Sequence, residues 1–146
     1  MYDTQVRVAN HRTVTLQTGE TQVYVGRSRA HEARNPLGNP FPVTGKGRWT
    51  RDTDEACALL VRHHPDMQAQ VDAARRAGGW AHGEAAAIYL PYLRACYAAR
   101  NDVAAALDRL ALDLRSGKRL VLVCWCAPRP CHADAIRQAI TALAAR

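Results

Sequence analysis

The sequence predicts a single α/β domain built on a small, mostly parallel sheet of roughly three to five strands with helices around it. Three short runs, TQVRVA, TQVYV and LVLV, alternate in polarity or are rich in β-branched residues, as strands are. Longer segments with apolar residues at helical spacing separate the second run from the third. The chain has 146 residues, and we expect residues 1–146 to share one core.

Two strands are expected near the amino terminus. Residues 4–9 form the first, residues 13–16 either pair with it or extend a loop, and residues 21–25 form the second strand. Gly26 and Arg27 follow that strand directly. A glycine lets the backbone approach a ligand closely, and Arg27 is placed to bind an anion at the edge of the sheet.

A long loop rich in proline and glycine is predicted over residues 28–50. Its PLGNPF segment contains Gly38, which can take a positive φ, and Asn39, whose amide can bond to the backbone or to a ligand. Two interpretations stay open here. The segment is either a rigid turn that Phe41 anchors in the core, or a place where Asn39 recognises a ligand.

Helices are predicted for most of the remaining chain. Their expected ranges are residues 52–64, 65–76, 83–100, with Pro91 as a kink or a division, and 103–115, capped by Asn101 or Asp102.

The segment LVLVCWCAPRPCHAD, residues 120–134, carries most of the chemistry. A buried strand is expected to end near Cys124 and Cys126, and a stiff proline loop then leads to a helix that starts at residues 131–133. Residues 23–27 and 120–126 should be neighbouring central strands. Open α/β sheets bind ligands at such strand-to-helix corners, where free amides favour anions.

Three residues at this corner are the predicted catalytic groups. A helix amino terminus stabilises a thiolate, so Cys131 is expected to have a lowered pKa and to act as nucleophile or contact residue. His132 is the expected acid, base or donor. Asp134 either orients His132 or Arg129, or only interacts with the helix dipole.

The same segment raises the question of zinc. Its ligands would be Cys124, Cys126, Cys131 and His132. The C-x-C spacing strains chelation, and all four ligands would lie within nine residues of one another, so we predict no metal and keep zinc as the alternative. A third interpretation makes Cys124 and Cys126 apolar packing at the end of a buried strand.

Composition limits the partners and the location. The net charge is +7, and all but two of the 20 basic residues are arginine. This bias suits phosphate or nucleic acid, although a GC-rich genome explains it equally well. No run reaches the roughly 18 apolar residues of a membrane span and no signal peptide is evident, so we expect a cytoplasmic protein with reduced thiols and no membrane partner.

Four motifs together resemble an uncharacterised family, number 4326 among the domains of unknown function. They are VYVGR, PLGNPF, YLPYLR and CWCAPRPCHAD. The resemblance implies that residues 43–82 are a helical insertion, because in that family the tyrosine-bearing helix follows the GNPF segment closely. It also makes a phage or mobile-element origin plausible.

The predicted function follows from the residues expected to meet in one cleft. Arg27 and Arg129 suit a phosphate, Asn39 a ribose hydroxyl or base edge, and Trp125 or Tyr24 a stacked base. By analogy with Rossmann-like nucleoside enzymes, we expect an enzyme of nucleotide or nucleoside chemistry, with N-glycosidic transfer or hydrolysis as its reaction. The alternatives are a zinc-stabilised nucleic-acid-binding protein and a phage-type protein that binds a host factor.

Overall fold

The computed structural model of the protein describes residues 1–27 and 34–146. Within them, three parallel strands form one sheet in the order β1-β3-β2: β1 (Val6–Asn10), β2 (Glu20–Tyr24) and β3 (Arg119–Cys124). The α/β class is confirmed, and the Rossmann-like subclass stays a prediction. Residues 11–19 join the parallel strands β1 and β2 without a helix, unlike the helical crossover of a doubly wound sheet.

The central strand is β3, because it is apolar on both faces. Leu120, Val121, Leu122, Val123 and Cys124 are all buried. The expectation that the second strand would also be central is wrong. β2 is an edge strand, with Thr21 and Gln22 exposed to solvent.

The described helices fill most of the chain after residue 50. They are α1 (Arg51–His63), α2 (Gln68–Ala77), α3 (His82–Ala87), α4 (Tyr89–Ala99), α5 (Asp102–Arg115) and α6 (His132–Ala144). Asn101 caps α5 as expected, by accepting hydrogen bonds from the amides of Val103 and Ala104.

One local expectation is corrected, and one open alternative is decided. The division between α3 and α4 falls at Ile88 and not at Pro91, which lies in the first turn of α4, where its missing N–H costs no hydrogen bond. Residues 13–16 form a loop and do not pair with β1. Residues 28–33 of the predicted long loop lie outside the described part of the chain.

One hydrophobic core joins the sheet to the helices. α6 packs against β1, β3, α4 and α5. Ile136 and Ile140 of α6 and Leu120 and Leu122 of β3 are almost fully buried in this core. The strand-loop-helix corner that begins at Cys124 is therefore anchored on both sides.

The middle block, residues 43–82, belongs to the same core. Val43 pairs with Trp80 through an isolated parallel bridge, and the hydroxyl of Thr53 donates to the Pro40 carbonyl over 3.0 Å. Phe41 is fully buried, with its ring centroid 5.1 Å from that of Trp80. Whether this block is an insertion stays a prediction.

Candidate active site

A cavity of about 270 Å³ opens at the carboxyl edge of the sheet. It lies between the ends of β2 and β3, the loop that follows β3, and the start of α6. Its lining includes these predicted site residues: Gly26, Arg27, Asn39, Cys124, Trp125, Cys126, Cys131 and His132. Gly38, Arg129 and Asp134 lie outside this lining.

The thiols of Cys124, Cys126 and Cys131 meet in one cluster at the cavity wall. The Cys131 thiol donates to the Cys124 sulfur over 2.9 Å and also bonds to Cys126. This hydrogen bonding lowers the pKa of Cys124 to about 6 and the pKa of Cys126 to about 7. The hydrogen bonding therefore favours a thiolate in the cluster near neutral pH.

The expected lowering of the Cys131 pKa at the helix amino terminus is wrong in direction. Cys131 is the shared donor to Cys124 and Cys126 and is buried, and both effects raise the pKa of Cys131. The pairing between sulfurs outweighs the helix dipole, because ionising the shared donor would break two hydrogen bonds. A thiolate in the cluster is therefore favoured on Cys124 or Cys126 and disfavoured on Cys131.

His132 is buried beneath the cavity and bonded to the sheet. Its Nε2 donates to the Val25 carbonyl over 2.5 Å, and its ring meets that of Tyr89 edge to face at 5.0 Å. Burial lowers the pKa of His132 to about 4, so the ring is neutral at pH 7. With the proton on Nε2, the free Nδ1 lies 3.6 Å from the Cys131 sulfur.

Asp134 and Arg129 occupy the outer side of this corner. The exposed carboxylate of Asp134 accepts from the Cys131 amide over 3.4 Å and forms a capping box at the start of α6. This contact supports the helix-end interpretation of Asp134. Arg129 is exposed in the loop, where its charge helps to lower the pKa of Cys126.

Asn39 and Arg27 connect the cavity to the PLGNPF turn. The Asn39 amide donates to the Ala85 carbonyl over 3.0 Å and accepts from the Phe41 amide over 2.9 Å. Arg27 donates to the Phe41 carbonyl over 2.7 Å. The rigid turn anchored by Phe41 is thus present, and ligand recognition by Asn39 stays a prediction that must use its remaining hydrogen-bonding capacity.

Gly38 and Gly26 allow two close approaches. A Cβ at Gly38 would lie 3.1 Å from the Gly26 carbonyl oxygen and 3.2 Å from the Arg27 Cα. Gly38 does not have a positive φ, so a glycine is needed there for lack of space and not for its backbone conformation. A Cβ at Gly26 would collide with the Tyr24 hydroxyl oxygen, so Gly26 leaves room for that ring.

Aromatic side chains form the rim of the cavity. Trp125 is 42% exposed, and its indole N–H donates to the Tyr24 hydroxyl over 2.9 Å. His11 lies against the Trp125 ring with the centroids 4.4 Å apart. A partly exposed, braced indole beside a cavity is suited to stacking on a planar ligand.

A second cavity of about 320 Å³ adjoins the first and shares Arg27 and Asn39 with it. Arg34 and Arg48 also line it, and so does the carboxylate residue Asp52. Three guanidinium groups around one space give it a net positive charge. Arg34 and Arg48 were not among the predicted site residues, because they stand apart from the recognisable motifs.

The family assignment comes from comparison with protein-family models. The model described as "Domain of unknown function (DUF4326)" matches residues 6–142. The chain belongs to the DUF4326 family. Searches of curated proteins and of solved structures find no match.

The match covers every residue of this DUF4326 protein that lines the two cavities, including those of the middle block. The resemblance drawn from the four sequence motifs is confirmed. Among the described residues, no helix is both long and apolar enough to cross a membrane. In the same part of the chain, no group of three or more histidine, cysteine or acidic side chains is placed to hold a metal ion.

Three polar residues that hold the DUF4326 site together were not predicted from the sequence. Asn10 donates to the carbonyls of Trp125 and Ala127, and Asn35 donates to those of Tyr24 and Gly26. His82 bonds to the Pro130 carbonyl over 2.7 Å. Of the three, only Asn10 had a signal in the sequence. It directly follows a predicted strand, where a polar side chain can bind neighbouring loops.

Proposed function

We propose that this DUF4326 protein is an enzyme that acts on a nucleotide or nucleoside and transfers or hydrolyses its N-glycosidic bond. The observation that carries the proposal is the pair of adjoining cavities that share Arg27 and Asn39. One has an aromatic rim and a thiol wall, and the other is lined by arginines. A nucleotide is divided in the same way, since its base and sugar would suit the first cavity and its phosphate the second.

The thiol-lined cavity suits the nucleoside part. Its volume of about 270 Å³ lies just below the usual range for ligand pockets, about 300–1,000 Å³, which limits the occupant to a group of nucleoside size at most. Trp125 and Tyr24 offer ring faces at the entrance, and base stacking on an aromatic ring contributes about 1–3 kcal/mol. Asn39 and the amides at the start of α6 can contact ribose hydroxyls.

The arginine-lined cavity suits the phosphate. Guanidinium groups bind phosphate oxygens through paired, charge-assisted hydrogen bonds. Arg34 is held by Asp102 at 3.5 Å, but both side chains are about half exposed and such pairs are weak, so a phosphate can displace this carboxylate. We therefore assign the phosphate to Arg27, Arg34 and Arg48 and not to the outlying Arg129.

The proposed reaction uses the thiol cluster. A thiolate on Cys126 attacks the anomeric carbon, the carbon–nitrogen bond breaks, and the base leaves as it takes the proton of Cys131. Water or an acceptor group then displaces the sulfur and gives up its own proton to the cluster. Cys131 thus keeps a catalytic role, as the acid and no longer as the nucleophile, with neutral His132 beside it.

The test measures, by chromatography, the release of free base from a panel of nucleosides and their 5′-monophosphates. Arg48→Ala should raise KM for the monophosphate about tenfold, the loss of one charge-assisted contact, and leave the matching nucleoside unchanged. Cys126→Ser should abolish release from both. Arg62→Ala, which removes an exposed arginine of α1 away from both cavities, serves as the control.

Two results would contradict this function. One is the absence of base release with every compound in the panel. The other is an equal effect of Arg48→Ala and Arg62→Ala on KM. Nucleic-acid binding, the alternative that the net charge of +7 favours, instead predicts DNA affinity that falls steeply with salt concentration.

A further inference from the structure

The thiol cluster brings together one accessible and two enclosed sulfurs. All three line the cavity, but Cys126 is partly exposed, whereas Cys124 and Cys131 are only 1% and 4% exposed. Cys131 is hydrogen-bonded to both other thiols. An accessible thiol next to an enclosed thiol that can attack it is the arrangement found in oxidation-sensitive cysteine pairs.

We propose that Cys126 and Cys131 form an oxidation site for hydroperoxides, in which Cys126 becomes a sulfenic acid and Cys131 then closes a disulfide with it. This chemistry needs neither a nucleotide nor the N-glycosidic reaction. It would stand if that function failed, and it can fail without affecting that function.

Each step balances. The Cys126 thiolate attacks one peroxide oxygen, the sulfur–oxygen bond forms, the oxygen–oxygen bond breaks, and the leaving alkoxide or hydroxide takes up a proton. The Cys131 sulfur then attacks the Cys126 sulfur, and the sulfenic hydroxyl leaves with the Cys131 proton as water. Two thiols are oxidised by two electrons, and one peroxide is reduced to an alcohol or water. A dithiol such as dithiothreitol reverses the cross-link.

The surroundings select Cys126 as the first sulfur to react. The hydrogen bond from Cys131 and the charges of Arg129 and Arg27 all stabilise its thiolate. Cys124 also accepts a hydrogen bond from Cys131, over 2.9 Å, but Cys124 is 1% exposed, so peroxide reaches Cys126 first. Cys57 and Cys96 are buried on α1 and α4, outside the lining of this cavity.

The experiment exposes the reduced full-length chain to hydrogen peroxide and follows the intact mass with time. We expect a product that has lost two hydrogens and that dithiothreitol converts back. Cys126→Ser should slow this loss at least about tenfold. Cys131→Ser should stop at a sulfenic acid that a cyclic 1,3-diketone traps, and Cys57→Ser should behave as wild type.

Locating the cross-link needs one more variant. Arg129 precedes a proline, so trypsin leaves residues 120–137 as one peptide that contains all three thiols. Cys124→Ser leaves a single pair in this peptide and should still lose two hydrogens within it. Circular dichroism checks that each variant is folded, and Cys126→Ala serves as a second variant if the serine variant is not.

Three outcomes would overturn the proposal. They are oxidation of a folded Cys126 variant at the wild-type rate, loss of the cross-link in a folded Cys124→Ser variant, and oxidation of wild type only to irreversible sulfinic acid.

Discussion

At the scale of single residues, His132 illustrates how burial sets the charge of a site. Its ring donates to the Val25 carbonyl, and the charge of Arg27 lies close by. Desolvation and this charge disfavour the imidazolium, so the folded pKa of about 4 is below the ordinary value of 6.5. The unfolded chain therefore binds a proton between these pH values when the folded chain does not.

The stability of the protein should consequently fall as the pH drops from 6.5 towards 4. Between pH 7.5 and pH 4.5 we expect a loss from this residue of about 2–3 kcal/mol in the free energy of unfolding, measured by urea titration. His132→Asn should be less stable at pH 7.5 but should lack this part of the pH dependence. The lowered pKa of Glu20, about 2, adds a loss of stability that begins as the pH falls through 4.5, and this loss is the same in both proteins.

The difference between the two proteins isolates His132, because the cysteine cluster titrates in both. Parallel curves of unfolding free energy against pH would show that His132 is protonated equally in the folded and unfolded chains. They would contradict the buried, neutral ring.

At the scale of elements, the connection between α2 and α3 fixes the middle block to the PLGNPF turn. Gly79 has φ of +154°, and a Cβ there would lie 2.6 Å from the Pro42 carbonyl oxygen. The neighbouring Trp80 amide donates to that same carbonyl over 2.9 Å. Neither backbone segment can move without loss of this hydrogen bond.

Gly79→Ala should therefore destabilise the protein by about 1–3 kcal/mol, from strain at a positive φ and from the backbone contact. Gly83→Ala is the matched control. Gly83 lies in α3, where a Cβ would meet no neighbouring side chain or segment within 4 Å, so alanine there should be neutral or stabilising by up to about 1 kcal/mol. Equal thermal midpoints for the two variants would count against the close contact at Gly79.

At the scale of the whole molecule, the sequence predicted the elements and the pairing of β2 with β3, but not the order of the strands in the sheet. Leu120 to Val123 indicated a central strand because the run is apolar on both faces, and Asn101 indicated the start of α5. The edge position of β2 depends on which strand pairs with which, and no local pattern contains that information.

The candidate site shows the same division. The motifs predicted which side chains would line one cavity, including Arg27, Asn39 and Cys131. The motifs did not predict which of the three thiols keeps its proton. The pKa of Cys131 is raised by contacts with Cys124 and Cys126 that only the folded chain creates. The contribution of Asn35 was missed for the same reason, since its carbonyl partners belong to β2 and its end.

The middle block and the sheet should unfold together, because one core spans them. Leu60, Val71 and Trp80 of the block are buried in the same cluster as Leu122 and Ile136.

Phe41 bridges the two parts, with its ring 5.1 Å from Trp80 in the block and 5.2 Å from Tyr92 on α4. In Trp125→Phe, tryptophan fluorescence comes only from Trp49 and Trp80 of the block, while far-ultraviolet circular dichroism reports on all helices. We expect the two signals to give the same urea midpoint, as a single cooperative transition requires. A fluorescence transition at lower urea would mean that residues 43–82 fold as a separate unit.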